Sequence, residues 1–561
     1  MNIFKLLCFL CSIYTMAQTP YPQDYFRSPL DIQLVLSGTF AELRSNHFHS
    51  GLDMKTNGKQ GLKVYTAAIG YVSRIKISRY GYGKALYITH PNGYTSVYAH
   101  LQKFSPKIEA FVKSKQYEKE QFEIELFPDP NALRIEADEV VAFSGNTGGS
   151  SGPHLHFEIR DKNSRPINPM LFGIDIKDTT PPELYQLYVY PLSDDSHIEG
   201  LHEKKKIRLI KQPNGNYKAE PIAAFGTIGF GIVANDRQDY ASNKNGLSKI
   251  ETFFNGKKSI EVDFKRFSFS ETKHINRFID YAHYRSKKQR IQKLFIEKNN
   301  PLSLFSFHEQ NGALSIIDST NSAYTIKIQD FKNNKTTVQV PISGIFQEVS
   351  KNDSIPLSFT YVSASESTLF EDQSFSVEIP AYALYEDIPL DFKVKNDTLT
   401  IHEPSIPLKK SMTIKFDASR FDSNDLTHLF IGRLSAYGRL YYTSTKRKGS
   451  TLTARTKYFG RYTIGRDDKG PKISAVNFKN GSWLTKYRYL KVKISDDISG
   501  VKNFRATVNG KWILMEYDAK TNTLTHDFND NVINDIKNNL KLIVVDNVGN
   551  SSKFELTFYR K

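Results

Sequence analysis

Two histidines one residue apart, His154 and His156, close the stretch Ser144-Gly-Asn-Thr-Gly-Gly-Ser-Ser-Gly-Pro-His-Leu-His-Phe-Glu-Ile159. Strand alternation puts both imidazoles on one face and Leu155, Phe157 and Ile159 on the other. Paired imidazoles behind a Gly/Ser-rich loop suit a metal site, or a division between metal binding and proton transfer. A second cluster, His49 and Asp53, lies about a hundred residues upstream, and Tyr98-Ala-His100-Leu101 falls between the two. Both cysteines, Cys8 and Cys11, sit in the apolar N-terminal segment. A chain without that segment can hold metal only through His and carboxylate. Zinc accepts both in tetrahedral geometry, and a catalytic site keeps one position open for water. His49, Asp53 and His156 are a sufficient set of three ligands, which leaves His100 and His154 for proton transfer. That constellation is suited to a zinc hydrolase.

The elements that must position these residues read as short strands. Lys63 to Ala68, Gly70 to Ile75 and Ala85 to Thr89 are strand-like, and Pro91-Asn-Gly93 is a turn signal. Ser105-Pro106 predicts the start of a helix that runs over Lys107 to Lys119 with Ile108, Phe111 and Val112 on one side. The helix opens an acid-rich insertion, 103–139. The expected fold class is mainly β. It has a small N-terminal antiparallel sheet with a helical insertion over 18–176, followed by about three β-sandwiches, Ig-like at 177–345 and 467–561 and a further one at 346–466.

An internal repeat supports that division. Gly246-Leu-Ser-Lys-Ile-Glu-Thr-Phe-Phe-Asn-Gly-Lys257 matches Gly500-Val-Lys-Asn-Phe-Arg-Ala-Thr-Val-Asn-Gly-Lys511 in register. The linkers Asp178-Thr-Thr-Pro-Pro182 and Asp467-Asp-Lys-Gly-Pro471 precede the two copies, and each copy closes on an Asp-containing turn, at Asp330 and at Asp546. The first copy carries an extra basic segment, Tyr284 to Lys298, predicted helical.

At 561 residues the chain exceeds a single core. Lys5 followed by an apolar run from Leu6 to Tyr14 and then Thr15-Met16-Ala17 reads as a secretory signal, 1–17. The expected location is therefore the periplasm or cell envelope, or outside the cell, and the mature chain is expected to have no transmembrane segment. The formal charge of +17 becomes +16 without Lys5, a balance suited to anionic envelope polymers. Nucleic acid is not an expected partner, since neither a long basic run nor a recognition motif accompanies the charge.

On these residues the first third of the chain resembles the lysostaphin-type, or LytM, zinc endopeptidases. His49-x-x-x-Asp53, Gly81-Tyr-Gly83, Ile88-Thr-His90-Pro-Asn-Gly93, Tyr98-Ala-His100-Leu101 and Gly152-Pro-His-Leu-His156-Phe157 carry the resemblance. It implies Zn2+ held by His49, Asp53 and His156. It makes His100 and His154 the catalytic pair that orients and deprotonates water and stabilises the tetrahedral intermediate. Peptidoglycan stem peptides are the implied substrate. Envelope protein partners could dock on the C-terminal sandwiches. The alternatives are a latent or non-catalytic activator of another wall hydrolase, and a zinc protease acting on exported proteins. The 103–139 insertion departs from the family and is expected to line, restrict or cover the groove.

Other polar residues have plainer readings. His47 is a groove residue or structural, and His90 a turn or packing residue. Glu158, on the His156 face, is a structural or solvated carboxylate, or else a hydrogen-bond partner for a ligand imidazole. Tyr80 and Tyr82 either rim the groove or simply pack. The turns at Asp330 and Asp546 are ordinary sandwich turns or calcium ligands. Lys204 to Arg208 is a solvated basic loop, with wall or membrane-surface contact as the other reading.

Overall fold

The computed structural model describes residues 21–348, 359–422 and 425–561. The secretory signal predicted over 1–17 lies outside them. Among the described residues no helix is long and apolar enough to cross a membrane.

The N-terminal unit is built on an antiparallel sheet. Its strand order is Leu36–Gly38, Leu52–Lys55, His154–Arg160, Thr95–Ala99, Lys84–Thr89, Gly70–Ile77 and Ile124–Leu126. The His154–Arg160 strand is central, between Leu52–Lys55 and Thr95–Ala99. Its apolar residues Leu155, Phe157 and Ile159 are fully buried in the core, and its polar residues crowd the other face. A smaller sheet of Lys63–Tyr65, Val140–Phe143 and Lys103–Phe104 lies alongside.

The predicted helix forms over Pro106–Lys119, with Ile108 and Val112 buried. Proline suits its first turn, where the missing N–H would be unpaired anyway. Glu109 accepts the Phe104 N–H at 2.9 Å, and Glu120 ends the helix in left-handed conformation. The remainder of 103–139 is less a lid than an extension of the sheet, because Ile124–Leu126 and Arg134–Ile135 both pair with Gly70–Ile77.

Beyond Asp178 the chain is almost all strand. One 14-residue strand, Ile222–Asn235, joins the two parts of the 13-stranded sheet of the next unit. Its C-terminal part pairs antiparallel with Glu183–Pro191, and its first residues pair parallel with Lys335–Gly344. The basic segment predicted as a helix over Tyr284–Lys298 is helical only at Tyr281–Lys287 and then turns into a short strand, Gln292–Lys293, that pairs with Ile222–Asn235. Pairing claims the second half because Ile291 and Leu294 are buried completely. The boundary drawn at 176/177 does not divide the hydrophobic core, since one continuous cluster runs from Phe26 to Ile342. The middle unit encloses its own core between two five-stranded sheets. The last packs a four-stranded sheet on a five-stranded one.

This last sandwich folds back onto the N-terminal unit. Tyr117 of the helix meets the Trp512 ring at 5.2 Å between centroids and donates to Asp530 at 2.7 Å. Lys113 pairs with Asp530, and Arg505 lies 2.5 Å from Glu120. A cavity of about 760 Å³ runs between the two units and is lined by Lys84, Gln102 and Asn146 on one side and Lys491, Glu516 and Lys520 on the other.

Candidate metal centre

Register brings the polar residues together. Asp53 pairs directly with His156, and His156 also sits opposite Ala99, so His100 follows at the strand end. His49 is set by two backbone bonds, Ala41 N–H to His49 O at 2.7 Å and His49 N–H to Glu42 O at 2.9 Å. His100 has φ of 58°, a left-handed conformation costly for a side chain with a Cβ. The turn is secured by the His100 N–H to Tyr82 O bond at 3.0 Å.

His49, Asp53 and His156 converge. His49 Nε2 lies 3.0 Å from Asp53 Oδ1 and 3.1 Å from His156 Nδ1, and His156 Nδ1 lies 2.8 Å from Asp53 Oδ1. His154 Nε2 is 3.4 Å from the same oxygen. The His100 and His154 rings are 4.7 Å apart. All five residues named from the sequence therefore meet at one place. Two imidazole nitrogens and one carboxylate oxygen around a common point can hold a metal ion.

The other nitrogen of each ring has an acceptor. His49 Nδ1 faces Thr39 O at 2.7 Å, His100 Nδ1 faces Thr147 O at 2.9 Å, and His154 Nδ1 faces Gly152 O at 2.9 Å. His156 reverses the ring, with Nε2 2.9 Å from Glu158 Oε1. An N–H donated outward to a carbonyl or carboxylate leaves the lone pair of the second nitrogen facing inward. In this way the backbone and Glu158 choose the tautomers.

Behind His156 runs a buried charged chain. Glu158 accepts from Ser50 Oγ at 2.8 Å, from Arg160 Nε at 2.6 Å and from the Tyr82 hydroxyl. Burial opposes its charge, but Arg160 and His156 outweigh burial and hold the carboxyl well below the usual range. Burial also opposes protonation of His156, yet the hydrogen bonds and charges of Asp53 and Glu158 push it up to about 9. Asp53 is held well below the usual carboxylate range. Burial is opposed there by the charge of His49 and by hydrogen bonds from His154, His156 and His49. His100 moves the other way, down to about 3, through burial and then the neighbouring His156 and His154 charges.

Several of these partners carry no sequence signal. Arg44 Nη2 lies 3.1 Å from Asp53 Oδ2 and so leaves Oδ1 to the imidazoles. Thr39, Ser50 and Thr147 act through a backbone oxygen or a single hydroxyl. Of the two tyrosines, Tyr82 is built into the charged chain while Tyr80 is exposed. His47 is exposed and bonds Asn46 at 2.8 Å. His90 is buried between Ile69 O and Ser96 Oγ, as a packing residue. None of the hydrogen bonds or ring contacts described for His49, Asp53, His100, His154 and His156 involves a residue of 103–139.

The glycine loop earns its composition by close approach. Gly148, at φ of 71°, would place a Cβ 2.3 Å from Gly83 N, and Gly149 N–H donates to Gly81 O at 2.7 Å. Only glycines let the two turns touch there, and that contact sets the Thr147 carbonyl against His100.

Residues 47–117 and 131–169 match the sequence model of Peptidase family M23, and 360–467 match that of a Zu5-like domain. Between its two segments the M23 match skips 118–130. The chain is 33% identical over 138 residues to the DD-carboxypeptidase/endopeptidase Mpg of Neisseria meningitidis serogroup B, which is 25% of this chain and 26% of that one. It is 31% identical over 154 residues to an uncharacterized metalloprotease of Haemophilus influenzae, over 26% and 27% of the two chains. It is 28% identical over 161 residues to the peptidoglycan DD-endopeptidase ShyA of Vibrio cholerae, over 28% and 31%. The crystal structure of a zinc containing peptidase from Vibrio cholerae aligns at 25% identity over 27% of this chain and 40% of that one, with a TM-score of 0.20. The match spans only about a quarter to a third of the curated relatives.

Proposed function

We propose that this protein, whose residues 47–117 and 131–169 match Peptidase family M23, is an exported, zinc-dependent endopeptidase that hydrolyses peptide cross-links in bacterial peptidoglycan. The observation that carries the reading is the convergence of His49 Nε2, Asp53 Oδ1 and His156 Nδ1, each imidazole with its outer nitrogen tied. The donor set fits zinc, which takes nitrogen and carboxylate oxygen together. Zinc bound there would lower the pKa of a water molecule and polarise the scissile carbonyl.

The remaining steps belong to the chain. His100 and His154 donate their Nδ1 protons to Thr147 O and Gly152 O, which leaves each Nε2 as an acceptor. Together they orient the attacking water, take its proton and return it to the departing amine. Whichever ring of the pair gains the proton becomes an imidazolium whose Nε2–H can donate to the tetrahedral oxyanion before the proton passes to the amine. Arg44 holds Asp53 in place, and Glu158 holds His156. The names of the Neisseria and Vibrio relatives support peptidoglycan as substrate. The basic charge of the chain agrees with an anionic polymer.

Purified protein, zinc-loaded, should convert cross-linked muropeptide dimers of isolated sacculi to monomers, read by mass spectrometry, and His156→Ala should not. Unchanged dimers with a folded, zinc-loaded sample would overturn the reading, and cleavage of casein without cleavage of sacculi would redirect it to exported proteins.

A further inference from the structure

Away from the histidines, the described residues gather two clusters of three aspartates. Asp178, Asp236 and Asp330 form one, and Asp467, Asp496 and Asp546 the other. In each, one carboxylate oxygen per residue lies within 4.8 Å of the other two.

The clusters occupy the same place in the two repeat copies. The first aspartate stands five residues before an opening strand, Glu183–Pro191 or Lys472–Ala475. The second directly follows a long strand, Ile222–Asn235 or Tyr489–Ser495. The third closes Asn321–Gln329 or ends Lys537–Asp546. The surrounding bonds repeat as well. Asn334 Nδ2 donates to Asp330 Oδ2 at 2.7 Å and to the Asp178 carbonyl at 3.1 Å. Asn550 Nδ2 donates to Asp546 Oδ2 at 2.7 Å and to the Asp467 carbonyl at 2.7 Å. In both copies an asparagine four residues past the third aspartate staples the linker to the sandwich.

The first cluster has an unmet requirement. Asp236 is only 4% exposed, no N–H or cation reaches its Oδ1, and burial with the Asp178 and Asp330 charges pushes it up to about 8, so that without an ion it must share a proton with Asp178. An unpartnered buried carboxylate oxygen is costly, and two more carboxylates beside it add repulsion. The nearby cations are used elsewhere, with Lys332 on Asp175 at 2.6 Å and Arg237 at 4.0 Å from Glu183. Beside Asp178 and Asp236 a cavity of about 30 Å³, lined also by Gln238, Asn245 and Lys332, has room for one small ion or water. In the second cluster Ser499 donates its N–H to Asp467 Oδ2 at 3.1 Å, and its hydroxyl is buried without a partner.

We propose that each cluster binds one calcium ion. The donors are all oxygen and mostly carboxylate, which selects a hard cation over zinc, and the backbone, the amides and water can complete a coordination number of six to eight. Each ion places positive charge among three carboxylates and clamps a domain linker to two strand ends. The first also bears on the histidine site. Thr39 lines the same cavity, its hydroxyl accepts the Gly246 N–H at 2.8 Å, and its carbonyl accepts from His49.

Chelator-stripped protein, dialysed to equilibrium against radioactive calcium, tests the proposal. Wild type should bind two ions per chain, Asp236→Asn and Asp496→Asn one each, and the double variant none. Zinc content should be the same in all four. Calcium should raise the thermal midpoint of wild type and leave that of the double variant unmoved. Absence of bound calcium on wild type at millimolar concentration would overturn the proposal whatever the folding of the variants. So would two ions retained by the double variant. A single ion removed by only one of the two substitutions would overturn it for the other cluster. Because the readout is calcium itself, failure here leaves the peptidase reading untouched.

Discussion

Lys84 Nζ lies 2.8 and 3.0 Å from the two carboxylate oxygens of Glu516, which joins the strand beside the His100 turn to the last sandwich more than four hundred residues away. Lys84 is almost completely buried. Burial disfavours its charge, yet Glu516 outweighs burial and raises its pKa. Removing the carboxylate charge strands a buried ammonium. Glu516→Gln should weaken docking by about 1.5–3 kcal/mol and speed release of the last sandwich in limited proteolysis. Cleavage near residue 467 at the wild-type rate would refute this.

Glu158→Gln tests the chain behind His156. It leaves Arg160 buried without its charge partner and changes the group that fixes the His156 tautomer. Loss of one member of a buried pair costs about 3–5 kcal/mol, and loss of such a metal-orienting partner lowers affinity by about 10–100-fold. Denaturant unfolding and zinc competition with a chromophoric chelator measure the two effects. The pH dependence has a definite sign. The folded-state pKa of Glu158 lies below its unfolded value near 4.5. Its contribution is present above that value and is lost as pH falls below it, a component Glu158→Gln should lack.

His100→Ala should leave zinc stoichiometry at one per chain and lower kcat by about 10²–10⁴-fold. In the metal-free protein the imidazole, held down to about 3, should show no protonation by NMR between pH 8 and pH 5. With the folded pKa below the unfolded 6.5, its linked stability is full above pH 6.5 and falls toward pH 3.

Gly148→Ala introduces a Cβ where Gly83 N is 2.3 Å away, at a φ suited to glycine. The loop must shift, and with it the Thr147 carbonyl that orients His100. Activity should fall with little change in KM or zinc content. Wild-type kcat would show that the loop does not position His100.

The histidine site was legible because its residues obey a period. His154 and His156 share a face at a spacing of two, and His49, Asp53 and His100 sit in short recognisable motifs. Their supports were not legible, since the Thr39 and Thr147 carbonyls look alike in any sequence and Arg44 arrives from a loop. The aspartates divide in the same way. Asp330 and Asp546 stood out in turns and Asp178 and Asp467 in linkers, but Asp236 and Asp496 join them only through folding. The insertion's helix also packs on Trp512 and Asp530, a partnership that no local pattern announces.

The continuous core between the first two units has a bearing on how the molecule comes apart. Phe48, adjacent to His49, packs with Phe40 against Phe267, and Phe48 also meets Phe278. A chain cut after Ile176 would leave these rings facing water. The two units should therefore melt in a single calorimetric transition, and a mutation that loosens the sandwich near Phe267 should inactivate the histidine centre without touching it. The unit that carries the histidines is not a separate module, because it shares one core with the unit that follows it.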